Sequence, residues 1–510
     1  MKKFLCALLL MTAAVGGGKV LAQKYKGDIW CFGDSVGIDW SSPTSPTFFM
    51  TANKGRSGTA TLSDSTNALK FYAAYNKSIN QIRYVFYNKY HKMMSNGDTI
   101  FGDDGYHSII TIPNSQNDSL LYVFTIGIVG IVPYGLHYSI INYKANNDSG
   151  IVIQKNIQLR YEPAFDGLTA VRHGNGRDWW LIFKKWDNVS FTPSNSFYIY
   201  KIDQSGIVLD SVQNIGPFHT TGGGAALFNS TGNLFYFIDW RGAIFKYDFD
   251  RCNGLFSNPL IIEPERLQGP YPYYFSCALS SDETKLYVTS YAHANPGSLD
   301  TLYQYDLTAA NIGSTRTPVY TLPNSSIGMG MLKLAPDNKI YLAGMDENFW
   351  YPYPDTAYTQ YNTHLSVINQ PDSLGLACDF QPFSFYLGGA RTYFGLPNNP
   401  DYELGAWVGS PCDTLSVGVD DFQPPQQVFF QAWYNSEWNM IHVNASKLKG
   451  RTGSLRLFDI EGRLVYEKKM EVIAGGYVTG EIPMNAVANG VYFVNLITDS
   501  ESVSSKTIKF

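Results

Sequence analysis

Gly33-Asp34-Ser35-Val36-Gly37 has the spacing of a nucleophile elbow, where a serine on a strand-to-helix turn attacks an acyl carbon with a histidine as base. That chemistry needs a helix after the serine and a late Asp-x-x-His. Ser35 is followed by Gly-Ile-Asp-Trp-Ser-Ser-Pro, a strand and a turn, and the only Asp-x-x-His runs early, from Asp104 to His107. Ser35 is therefore read as a turn residue. A second concentration of chemistry lies at Arg172-His173-Gly-Asn-Gly-Arg177-Asp-Trp179-Trp180. Imidazole, guanidinium and indole side by side suit a polar ligand, so His173, Arg177 and Trp179 are the candidate ligand-binding residues. The plainer reading is a strand end before a Gly-Asn-Gly turn. No C-x-x-C occurs and the eight histidines are scattered, which gives no zinc pattern. Gly222-Gly-Gly224 lacks the Lys-Ser/Thr of a phosphate loop. No catalytic residue, metal ligand or cofactor is assigned.

What must hold these groups begins with an address. Lys2 and Lys3 precede the apolar stretch Phe4–Val15, and Val20-Leu21-Ala22 fits a signal-peptide cleavage site before Gln23. Residues 1–22 are read as the signal peptide. Five cysteines remain in an exported chain, where disulfides form readily. The sequence-near pairings are Cys252–Cys277 and Cys378–Cys412, with Cys31 left as a buried thiol. A formal charge of −5 and a pI near 5.9 argue against nucleic acid. After the signal peptide no apolar run has the roughly 20 residues of a membrane helix, so the mature form has no expected span.

Between about residues 27 and 397 the pattern is of short Val, Ile, Leu, Phe and Tyr runs broken by turn residues, a β signature. One unit recurs: a small-residue lead-in, a short apolar strand, a polar turn and an aromatic strand. Copies start at 58, 107, 168, 225, 277 and 330, between 49 and 61 residues apart. That period suits propeller blades, because one blade cannot bury both faces alone and a ring protects its edges. Ile29–Phe32 and Gly37–Trp40, joined by Phe383–Leu387 from the far end, supply strands for a further blade. The expected fold of residues 23–397 is an all-β closed propeller of seven blades, with six the alternative. Residues 398–427, rich in Pro, Asp, Gly and Ser, read as a linker, and 428–510 as a small β-sandwich.

This last module carries "LRLFDIEGRLVYE", "ANGVYFVNL" and a basic-aromatic end, Lys506-Thr-Ile-Lys509-Phe510. As a set they resemble the type A C-terminal sorting domain of type IX secretion substrates. In place of the family's usual opening motif stands Ala432-Trp-Tyr-Asn-Ser-Glu-Trp438. The resemblance implies export through the periplasm to the cell surface or medium by the type IX machinery. It also implies removal of the domain by a sorting protease, with attachment to lipopolysaccharide or release. "IWCFGDSVGIDW", "HGNGRDWWLI" and "YDFDRCNGLFSNP" are similar to propeller ectodomains exported by such bacteria. Asp followed by Ser or Thr and an apolar residue or Thr resembles the O-glycosylation sequon of the same group. It occurs at Ser35, Ser65, Thr99, Ser119, Ser211, Thr301, Thr356, Ser373 and Thr414. The functional expectation is a non-catalytic surface or secreted module that binds an extracellular glycan or protein. The alternative is a propeller hydrolase or lyase acting on extracellular polysaccharide.

Overall fold

The alternating apolar runs form antiparallel strands in seven successive sheets, each hydrogen-bonded in sequence order. The computed structural model describes residues 25–413 and 428–509, except 77–82, 103, 104, 106, 127–134, 161–165, 187–191, 221, 222, 268–272, 292–297, 350, 351, 437, 438, 447, 451 and 472–477. The expected signal peptide, Thr414 and the second half of the expected linker lie outside the described residues.

The first sheet holds Ile29–Phe32, Asp34–Asp39 and Thr47–Lys54. The other six have four strands each, and their first long strands are Thr59–Asp64, Ile109–Pro113, Thr169–Arg172, Gly224–Phe228, Tyr274–Leu279 and Ile327–Leu334. These are the six recurring units of the sequence, each paired with its aromatic strand across a tight turn. Several of those turns need a left-handed residue. Asn67, Gly176, Gly232, Glu283 and Asn338 supply it, with φ between 60° and 73°. At Gly232 a Cβ would lie 2.6 Å from Val171, so both conformation and space call for glycine there.

The expected assembly of a seventh blade from both chain ends needs correction. Phe380–Tyr386 is the outer strand of the seventh sheet, paired with His364–Ile368. Ile29–Phe32, Asp34–Asp39 and Thr47–Lys54 make a three-stranded sheet by themselves, while Tyr25–Lys26 before them pairs with Thr59–Asp64 in the second sheet. The first strands of consecutive sheets lie side by side from the first sheet to the seventh. The seventh also packs on the first: Trp30, Phe32, Val36, Ile38 and Trp40 share one core with Tyr341, Ala343, Leu365 and Val367. Trp40 stacks on Phe385 with ring centroids 5.9 Å apart. Arg391 completes the join. Its backbone exchanges hydrogen bonds with Asp34 at 2.7 and 3.1 Å, and its guanidinium grips the Asp34 carboxylate.

Residues 391–412 then run among the first strands, although a linker was expected from 398 on. Met331 N–H donates to Phe394 O (2.7 Å) and Gly395 N–H to Arg56 O (3.0 Å). Asn398 N–H donates to Thr59 O (2.9 Å), and its Nδ2 reaches Ile109 O (2.9 Å) and Leu168 O (3.0 Å). Tyr402 hydroxyl donates to Thr111 O (2.9 Å). This strap takes its partners from sheets one, two, three, four and seven. Buried backbone polar groups must be paired, and here an irregular segment pairs them.

Phe429–Asn435, Met440–Ser446 and Val478–Pro483 form a three-stranded sheet, and Leu464–Glu471, Thr452–Asp459, Gly490–Thr498 and Ser502–Lys509 a four-stranded one. They enclose one core around Ile441, Val443, Leu455, Leu457, Ile482, Val494 and Leu496, a small sandwich. Among the described residues no helix is long and apolar enough to cross a membrane.

Candidate functional site

The first strands bound a cavity of about 630 Å³. Its wall takes Trp30 from sheet one, Thr169–Val171 from sheet four, Ala226–Phe228 from sheet five, Cys277–Leu279 from sheet six and Met331–Leu334 from sheet seven. The strap residues 396–404 form another side, and His107 reaches in ahead of sheet three. The lining mixes small first-strand residues such as Thr169, Ala170, Ala226 and Ala278 with larger ones such as Trp30, Phe228 and Met331.

Two basic groups stand in it. His107 Nδ1 lies 3.2 Å from Ala226 O. Burial, with help from the nearby Lys333 charge, pushes the His107 imidazole down to about 4, so it is neutral at pH 7. Burial also lowers the Lys333 ammonium to about 8, against the attraction of Asp401. The ammonium sits 5.7 Å from the centre of the Trp30 ring, a cation–π contact. The acids of the same wall are engaged. Asp28 pairs with Lys26 at 3.5 Å and Glu403 with the same lysine at 3.6 Å. Asp401 Oδ1 accepts the Glu403 and Leu404 amides at 2.8 and 3.1 Å. Glu283 accepts from Ser230 N–H and from the Asn229 amide.

The strap leaves the cavity over the Gly-Asn-Gly turn. Arg172 donates to Tyr402 O (2.8 Å), Arg251 to Gly405 O (2.5 Å), and Trp407 N–H to Gly174 O (2.7 Å). Burial lowers both guanidiniums to about 10. Here Cys412 forms its disulfide with Cys252, against Gly174, where a Cβ would fall 2.4 Å from the Cys412 sulfur. The expected pairings Cys252–Cys277 and Cys378–Cys412 are thus both replaced. Cys277 and Cys378 are buried free thiols, as is Cys31. Cys277 lies on a first strand facing the cavity, whereas the strap carries Cys412 across 160 residues to the turn after Asp250.

The three ligand candidates from the sequence sit at this exit. His173 is 5% exposed; its Nδ1 accepts the Asn175 amide (3.0 Å) and its ring stacks on Trp180. Trp179 is 1% exposed, between the Arg172 guanidinium and Tyr402. Arg177 pairs with Asp178 at 2.9 Å. The turn's polar groups hold the strap, and none of these three lines the cavity. Ser35 lies in a strand with φ 70°, its hydroxyl 3.3 Å from Asp34 Oδ1, and no helix follows.

The residues missed were Lys333 and Asn398–Tyr402. A lysine inside Gly-Met-Leu-Lys-Leu breaks an apolar strand, and a tyrosine inside a polar stretch marks a buried anchor; both signals were present in the sequence. Of the glycosylation candidates, Ser65 and Thr356 are exposed, and Ser35, Thr99, Ser119, Ser211 and Ser373 are half-buried. Thr301 is buried, its hydroxyl 3.1 Å from that of Thr321. In the sandwich Lys506 is exposed, while Lys509 is 9% exposed and donates to Met484 O (2.8 Å) and Val487 O (2.6 Å).

Residues 436–509 match the secretion system C-terminal sorting domain family. No curated protein matches the chain by sequence. Among solved structures, the periplasmic gluconolactonase PpgL of Pseudomonas aeruginosa is 13% identical over 73% of this chain and 99% of its own, with a TM-score of 0.43. PorZ of Porphyromonas gingivalis, an essential bacterial surface component of the type-IX secretion system, is 10% identical over 95% of this chain and 74% of its own, with a TM-score of 0.29. An auxiliary nutrient binding protein from Bacteroides thetaiotaomicron is 10% identical over 64% of this chain and 74% of its own, at 0.34.

Proposed function

Since the chain is a type IX secretion substrate, passed through the periplasm to the cell surface or the extracellular medium, we propose that its first 413 residues, less the signal peptide, are an extracellular binding module. In this reading the seven sheets are the blades of a closed propeller and the cavity among their first strands receives a soluble glycan. The carrying observation is that cavity. It falls within the roughly 300–1,000 Å³ of small-ligand sites, and its wall sets amides, hydroxyls and carboxylates beside apolar side chains. Asn338 offers an amide donor and acceptor there, and Asn399 its Nδ2. The sandwich serves as the export signal, cut off by a sorting protease beyond the strap, after which the module stays on lipopolysaccharide or is released.

Titrating the mature chain with a panel of soluble oligosaccharides tests the reading. Binding that weakens at least tenfold in Ser230→Trp, which narrows the cavity mouth, is the expected result. Binding indifferent to that change places the ligand elsewhere. Release of new reducing or unsaturated ends would replace the binding module by a polysaccharide hydrolase or lyase. Deleting 428–510 is expected to leave a folded module in the periplasm.

A further inference from the structure

Lys333 is the lysine of the cavity wall; it feels the Asp401 charge but is in direct contact with no carboxylate among the described residues. Among the described residues its ammonium makes no hydrogen bond and no ion pair, and its one aromatic contact is the Trp30 ring. Every acid on the same wall already has donors: Lys26 for Asp28 and Glu403, backbone amides for Asp401, and Ser230 with Asn229 for Glu283. Lys333 is half-buried, and no carboxylate among the described residues touches its ammonium. An acidic group that enters beside it can form a charge-assisted hydrogen bond that a neutral one cannot. Nearby, Asn399 Oδ1 accepts the Thr61 amide at 3.0 Å, while its Nδ2 has no partner among the described residues.

We propose that the cavity selects an acidic oligosaccharide, a uronate-containing glycan whose carboxylate pairs with the Lys333 ammonium. The inference rests on the reading of the cavity as a glycan site. His107 stays neutral beside Lys333 at pH 7 and so adds no second positive charge. A sugar carboxylate suits the site in size as well as charge. It takes one to three donors, and the ring hydroxyls behind it meet the backbone and amide groups of the wall.

The test uses the mature full-length chain and calorimetric titration at pH 6.5 with trisaccharides of galacturonic, glucuronic and mannuronic acid and with their neutral counterparts. The expected result is at least tenfold tighter binding of one acidic trisaccharide than of its neutral partner. Lys333→Met should erase that preference with the melting temperature unchanged, and Lys333→Arg should keep it. The groups facing Lys333 are His107, Asp401 and the Trp30 ring, with Asp28, Glu283 and Glu403 further along the wall. Of these, Lys333 is the one that titrates near 8, so the preference should fade between pH 7 and pH 9.5 as its proton leaves. Equal affinity for acidic and neutral sugars, or a preference that survives in Lys333→Met, overturns the inference and leaves the glycan site standing. If no trisaccharide of either kind binds, the glycan reading falls with it.

Discussion

Two all-β regions share this chain and hold themselves together by opposite means. In the sandwich, strands from both halves of the module interleave, Met440–Ser446 with Val478–Pro483 and Thr452–Asp459 with Gly490–Thr498, and one core fills the gap between two sheets. In the region before it, local hairpins make the sheets but do not join them. The joints are made between residues far apart: Asp34 with Arg391, Thr61 with Asn399, Ile109 with Asn398, Cys252 with Cys412. The comparison teaches that equal strand content says little about cooperativity. One region closes its core between its own two sheets; the other is unfinished until the strap arrives.

The largest effect should come from removing that finish. A chain ending at Pro323 loses the seventh sheet and the strap, and should fail to fold cooperatively, because the loss exceeds the roughly 5–15 kcal/mol margin of a domain. Residues 428–510 alone should unfold cooperatively; both outcomes are read by circular dichroism during denaturant titration. A folded, monomeric 23–323 fragment would break the comparison. Next in size is Arg391→Met. It takes the guanidinium from the half-buried Asp34 carboxylate and frees the carbonyls of Pro354 and Ala357, and should cost about 2–4 kcal/mol in the larger region while the sandwich transition stays put. Replacing Cys252 and Cys412 by serine opens a closure spanning 160 residues and should cost about 2–4 kcal/mol. Mass mapping should find those two sulfurs joined and Cys31, Cys277 and Cys378 alkylated after unfolding without reductant. The smallest change belongs to the sandwich. Lys509→Met removes donors from Met484 O and Val487 O and should lower only the sandwich transition, by about 1–3 kcal/mol.

The sequence was most legible where structure is local. All six repeat copies fall on a first strand and its aromatic partner, because alternation and turn residues are written within fifteen positions. The sandwich was legible for the same reason. Pairing across the chain was not. Phe380–Tyr386 has strand composition, but whether it joins His364–Ile368 or the N-terminal strands depends on contacts no local pattern records. Pro, Asp, Gly and Asn mark a segment unable to form a ladder. They do not say whether its amides meet water or other strands, so Asn398–Cys412 read as a tether. The cysteine pairing failed with it, since only the strap's course brings Cys412 to Cys252. His173 and Trp179, ligand candidates in the sequence, lie buried at the strap's exit, and the cavity residue Lys333 hid inside an apolar run.

The strap also imposes a timetable. Synthesis runs from the N-terminus, so Asp34, Thr61, Ile109, Thr111 and Leu168 leave the ribosome more than two hundred residues before the groups that satisfy them. Until Arg391 to Cys412 are made, the middle of the molecule stands open to water, with its acceptors hydrated and its first and seventh sheets unlatched. Domains made at about 5–20 residues per second leave such a gap open for some tens of seconds. The nascent region must therefore wait, exported and unfinished or held by a chaperone, for a segment that lies just ahead of the sorting domain. Secretion is thereby coupled to completion: the signal that sends the protein out cannot be translated before the piece that closes it.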